Sequence, residues 1–260
     1  MNKWDNVFRD PHPDQLILNK VAIPAFDTIK HLTLTDFQFD DLFNLFFVIL
    51  RKLAAIYNHL NNYKEIEKKA ILNVKILDTI DTSSDLYIEF DEFVVQIKSL
   101  LDHQVKILKV ILGNKCWNLG TFSNEGSGVI KALQNNVPVN LKHKGKILIK
   151  VIIDSSEWIK NIVKIRDKIN HCLDNGININ YFKIYRSNGD DNSIKIPMMS
   201  PSLSVSQWME NSWFYAINFT EIFSISSILF APIKKGVTIL YDGRRKEVSK
   251  WVILPNPKQF

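Results

Sequence analysis

Cysteine is nearly missing from this 260-residue chain. Its two copies, Cys116 and Cys172, match no zinc spacing and no disulfide framework, which argues against a stapled secreted scaffold. A reducing interior is the simpler setting, and a cytoplasmic location is expected. Residues 1–10 also lack the apolar stretch of a signal peptide. A G-x-x-x-x-G-K-[ST] phosphate loop is missing too, although Gly126-Ser127-Gly128 supplies a short glycine cluster. There is no internal repeat and no low-complexity tract.

Long uncharged apolar runs are equally scarce. The most apolar window, Trp213 to Ala231, carries Asn218 and Glu221. Membrane spans rarely tolerate a carboxylate near their centre, so this window reads as a buried helix and no membrane partner is expected. Glu89, Asp91 and Glu92 lie close together, but no histidine or second carboxylate cluster adds ligand spacing. No metal and no cofactor are expected.

What is present is ordinary globular composition, with 46% hydrophobic and 23% charged residues. The net charge is +6, which suits an anionic partner such as RNA. There are 27 lysines against 6 arginines, spread along the whole chain, a usage that codon composition also produces.

Residues 1–35 hold Pro11, Pro13 and Pro24 and read as an irregular lead segment. Asp36 is the expected cap of an amphipathic helix through Leu42, Phe46, Ile49, Leu53, Ile56 and Leu60. Asn61-Asn62 is expected to end it, with a second helix over Lys64–Ile80. The strongest signal follows at Tyr87–Leu112, where apolar residues keep helical spacing over about seven turns. Gly113-Asn114 is its natural stop. Residues 113–146 read as a long connection with a short helix near Val129–Gln134. Lys146–Ile153 fits a strand or a helix equally. A helix capped by Asp154, Ser155 or Ser156 then runs to about Leu173, with Trp158, Ile162, Ile165, Ile169 and Cys172 as its apolar stripe. Beyond Gly176 the texture changes. Tyr181–Tyr185, Val237–Tyr241 and Trp251–Leu254 read as strands around an aromatic helix at Val205–Phe230.

Arg166 and His171 stand five residues apart near the end of the capped helix, with Asp167 between them. Cleaving RNA without a metal requires a base for the 2′-hydroxyl, an acid for the 5′-oxygen, and cationic stabilisation of the phosphorane-like charge. Histidine titrates in the useful range. Arginine offers a permanent forked donor set that matches phosphate oxygens. Asp167 and His171 are four apart and share a helical face, so the carboxylate can orient the imidazole. Arg166 lies about 140° around the helix from His171. Structural roles compete for the same residues. Asp167 and His171 also make an ordinary surface pair, and Arg166 can pair with Asp102 or Glu92 at a core edge.

The run Arg166-Asp167-Lys168-Ile169-Asn170-His171 resembles the R-x4–6-H signature of the HEPN superfamily, whose second position is often Asn, Asp or His. The upstream helix around Glu89-Phe90-Asp91-Glu92-Phe93 also looks like the long helix that precedes the motif helix in prokaryotic members. The resemblance covers roughly residues 36–175. It implies a mainly α fold, with a HEPN-like helical bundle over 36–175 carrying a C-terminal mixed α/β extension at 176–260. It also implies a metal-independent endoribonuclease acting on single-stranded or looped RNA in phage defence, a toxin–antitoxin pair or stress response. Arg166, Asp167 and His171 would be catalytic, and Lys168 and Lys98 would contact RNA. Partners would be RNA, a second copy in a homodimer that faces two motif helices across a two-fold axis, and an antitoxin or other regulator. The alternative is a non-catalytic HEPN module that binds RNA, nucleotide or a partner protein. Arg244-Arg245-Lys246 is a further basic run, more often an exposed loop than a phosphate contact.

Overall fold

The computed structural model describes residues 13–77, 81–82, 84–171, 182–187, 193–243 and 249–255. Over these residues the chain is mainly helical with a few small sheets. The helices are α1 (Pro13–Ile17), α2 (Ile23–Lys30), α3 (Asp36–Leu77), α4 (Ser84–Leu112), α5 (Ser127–Asn135), α6 (Lys142–Asp154), α7 (Ser156–His171) and α8 (Val205–Ile228). The strands are β1 (Asp81–Thr82), β2 (Lys183–Arg186), β3 (Ile194–Lys195), β4 (Met198–Ser200), β5 (Leu203–Ser204), β6 (Val237–Tyr241) and β7 (Trp251–Pro255). No helix among the described residues is long and apolar enough to cross a membrane.

The part of the expected irregular lead segment from Pro13 to Lys30 is helical. Between α1 and α2 the Ile23 N–H bonds the Leu18 carbonyl, five residues back, in a wide turn. Pro24 follows at once. It has no N–H, and its ring crowds the carbonyl four residues back in a regular turn, so a wider turn accommodates it. Val21, Ala25 and Ile29 are buried as a result.

Helix α3 begins with a capping box one residue before the expected cap. Thr35 Oγ1 accepts the Gln38 N–H at 3.2 Å, while Gln38 Oε1 accepts the Thr35 N–H at 3.1 Å. The helix then runs unbroken through Asn61-Asn62 to Leu77, so the two expected helices are one. Neither asparagine removes a backbone donor, and fully buried Ile56 and Tyr63 hold the chain on both sides. Helix α4 starts three residues before its expected range, at Ser84, and ends where expected, stopping at Gly113, whose positive φ of 75° suits glycine. Part of the expected long connection is helical, in α5 and the start of α6. The ambiguous Lys146–Ile153 is helical. Gly145, Leu148 and Ile152 are buried on one face, and Ile147 and Ile153 are exposed on the other.

Two compact units result, one from residues 1–54, 100–156 and 217–260, the other from 55–99 and 157–216. In the first, the C-terminal half of α8 is buried on nearly every side, from Ile217 to Ile228. Phe122 packs edge-on against Phe219 and Phe223, and Gln104 Nε2 donates to Thr220 Oγ1 at 2.6 Å. The β6–β7 hairpin is antiparallel and fully paired, and the Asp242 N–H closes its end on the Lys250 carbonyl at 2.7 Å. In the second unit, β1, β2 and β3 form a small antiparallel sheet. Phe90 of α4 lies against Phe182 and Trp208, with ring centroids 5.4 and 5.6 Å away. Tyr57 of α3 meets Trp213 of α8.

Candidate functional site

The motif lies on the last turns of α7 in the second unit. Ser155 ends α6, its N–H bonded to the Val151 and Ile152 carbonyls at 3.2 Å, and α7 starts at the next residue. Trp158, Ile159 and Ile162 are buried, and the Trp158 ring lies 6.2 Å from that of Tyr215 on α8. Ile159 is an addition to the expected stripe. Ile165 and Ile169 are only half-buried, so burial weakens towards the motif. Cys172, the last expected stripe residue, and the Asn175-Gly176 stop lie outside the described residues.

Arg166 Nη1 donates to Asp167 Oδ1 at 3.1 Å, with the two side chains 37% and 44% exposed. The guanidinium therefore takes its own neighbour, not Asp102 or Glu92. Asp102 instead accepts the Phe122 N–H at 2.7 Å, in the first unit. Lys168 is exposed, and Lys98 is half-buried on α4. The backbone of His171 is the last residue of α7, and its side chain lies outside the described residues, as do Arg244, Arg245 and Lys246. The structure thus brings Arg166 and Asp167 together at a partly exposed surface. An exposed ion pair of this kind adds little stability.

The other sequence candidates resolve into structural roles. Glu89 Oε2 lies 2.7 Å from His59 Nδ1, and its Oε1 accepts from Asn62 Nδ2 at 3.3 Å. Burial pushes the Asp91 carboxyl up, and neighbouring Glu92 adds to this. No group of three or more metal-ligating side chains occurs among the described residues. In the glycine cluster, Gly126 has a φ of 94°, and a Cβ there would stand 2.8 Å from both Ile152 and Phe122. It serves close packing.

Sequence reasoning missed two buried polar groups. Lys20 of the wide turn donates through Nζ to Asn218 Oδ1 at 2.7 Å and lies 4.0 Å from Glu221 Oε2. Glu221 Oε1 accepts the Lys250 N–H at 2.5 Å. Burial lowers the Lys20 ammonium and raises the Glu221 carboxyl, each towards its neutral form. In the second unit, Glu67 is buried beside Tyr63, and burial raises both acids. The carboxylate in the apolar α8 window was the one available signal, while its lysine partner had none. Cavities of about 390 Å³, edged by Asn19, Thr28 and Trp251, and about 490 Å³, edged by Lys75 and Arg186, open in the first and second unit respectively. Arg166, Asp167 and Lys168 line neither. No protein-family model, no curated protein and no solved structure matches this chain.

Proposed function

We propose that the chain is a HEPN-type, metal-independent endoribonuclease that cleaves single-stranded or looped RNA. The observation that carries this reading is the Arg166–Asp167 pair, held at 3.1 Å on a partly exposed part of α7 four residues before His171. Arg166 supplies the forked cation for the scissile phosphate. His171 moves the protons, accepting from the 2′-hydroxyl or donating to the departing 5′-oxygen. Asp167 divides its carboxylate between orienting Arg166 and polarising the imidazole one turn on. Lys168, exposed on the same turn, and Lys98 add positive charge for the RNA backbone. A second copy across a two-fold axis completes the site, because one helix directs Arg166 and His171 about 140° apart.

Incubating the protein with single-stranded RNA and excess EDTA tests the reading. The expected products carry a 2′,3′-cyclic phosphate or its hydrolysed form. Cleavage that appears only with added divalent metal overturns the mechanism. The same ion pair favours one rival, a non-catalytic HEPN module, because any phosphate must compete with Asp167 for the guanidinium. RNA or nucleotide binding without turnover would decide for it.

A further inference from the structure

We propose that the acidic phenylalanine face at the start of α3 docks onto the basic isoleucine face of α6 on a second copy of the chain. The contact is separate from the motif helix and does not rest on the ribonuclease reading. Phe39, Phe43 and Phe47 recur every four residues, with ring centroids 6.1 and 4.9 Å apart. Phe26 of α2 joins them, 5.0 Å from Phe43 and 5.8 Å from Phe47. Phe39, Phe43 and Phe47 are exposed, and Phe26 is half-buried. Single exposed aromatics are common on soluble proteins, whereas a continuous ring-to-ring strip marks an interaction surface. Asp36 and Asp40 are exposed on the same side of α3 and give the strip an acidic border.

The same unit presents a face of opposite character. On α6, His143, Lys146, Ile147, Lys150 and Ile153 are all exposed. At 100° per residue they fall within roughly a third of the helix circumference. Just before it, Val139 is 87% exposed. Aliphatic side chains between lysines suit phenylalanines between aspartates. The isoleucines gain buried area, the lysines meet carboxylates, and a lysine over a phenylalanine face adds a cation–π attraction. Two α3 faces cannot pair with each other as well, because Asp36 and Asp40 on each side would meet like charge. The complementarity therefore pairs α3 of one copy with α6 of the other.

Light scattering after size exclusion, over a concentration series of the full chain, gives the test. Wild type is expected to form species that lose mass on dilution and in high salt. Phe43→Ser/Phe47→Ser and Lys146→Glu/Lys150→Glu should each lose this association. Asp36→Lys/Asp40→Lys repeats the first test on exposed side chains should the phenylalanine variant misfold. Mixing an α3 variant with the α6 variant should restore one contact, since each still carries one intact face, but no growth beyond it. A wild-type chain with constant mass at every concentration would sink the proposal. So would folded variants that associate like wild type, or a mixture that stays at the mass of its parts.

Discussion

Lys20 Nζ lies 4.0 Å from Glu221 Oε2, and solvent reaches almost none of the first side chain and none of the second. The wide turn ahead of Pro24 carries the lysine to the centre of the first unit, where α8 supplies both Glu221 and Asn218. Burial opposes both charges, and the pair persists because each partner offsets part of the other's desolvation. Glu221→Ala strands a buried ammonium and should cost about 3–5 kcal/mol. Lys20→Met/Glu221→Leu should recover most of that loss. Urea titrations of the single and double variants measure the coupling, and strictly additive costs would show there is none.

At the motif, His171→Ala should abolish RNA cleavage with little change in melting temperature. Arg166→Ala should lower turnover by about 10²–10³, the usual cost of removing one preorganised donor to developing charge. Asp167→Asn should have the smaller effect. Mixing Arg166→Ala with His171→Ala chains should restore part of the activity if the two-fold site is composite. Single-turnover kinetics on a short RNA reads all four. Activity in a strictly monomeric preparation would refute the shared site.

Glu67 provides a pH test. Burial raises its carboxyl, opposed by a Ser206 hydrogen bond and by Lys64. The folded state thus binds this proton more tightly than the unfolded chain does. The stability it contributes is fully present below the ordinary carboxylate value, and is lost as pH rises through the raised folded value. Glu67→Gln, which mimics the protonated acid, should be more stable than wild type at neutral pH. The difference should close on acidification. Denaturant midpoints across that range are the measurement, and a gap that widens in acid would contradict the burial argument.

The continuity of α3 is testable at its middle. Asn61→Pro should cost about 3 kcal/mol or more, by removing a helical hydrogen bond and clashing with the preceding turn. Asp36→Pro should be tolerated, since it follows the Thr35 cap at the first helical position. Thermal melts compare the two. A mild effect at Asn61 would mean that the chain bends there.

Helix α4, the aromatic helix α8, and strands β6 and β7 were legible in the sequence because their causes are local. Helical periodicity over seven turns, a glycine stop and alternating β-branched residues each act within a few residues. The capping boxes were equally local but went unread. Thr35 with Gln38, and Ser204 with Gln207, follow the same S/T-x-x-Q rule. The motif's place on the last turns of α7 was likewise readable from the serines before it and its apolar stripe. Tertiary structure decided what depends on distant partners. The helix passes Asn61-Asn62 because buried neighbours such as Tyr63 reward its continuation, a gain that no local preference reveals. Asp167 turns to Arg166 because a partly exposed surface leaves side chains free to choose. Lys20 and Glu221 meet because folding brings α8 beneath the lead helices, and a buried charge is tolerated only where the fold delivers its counterpart.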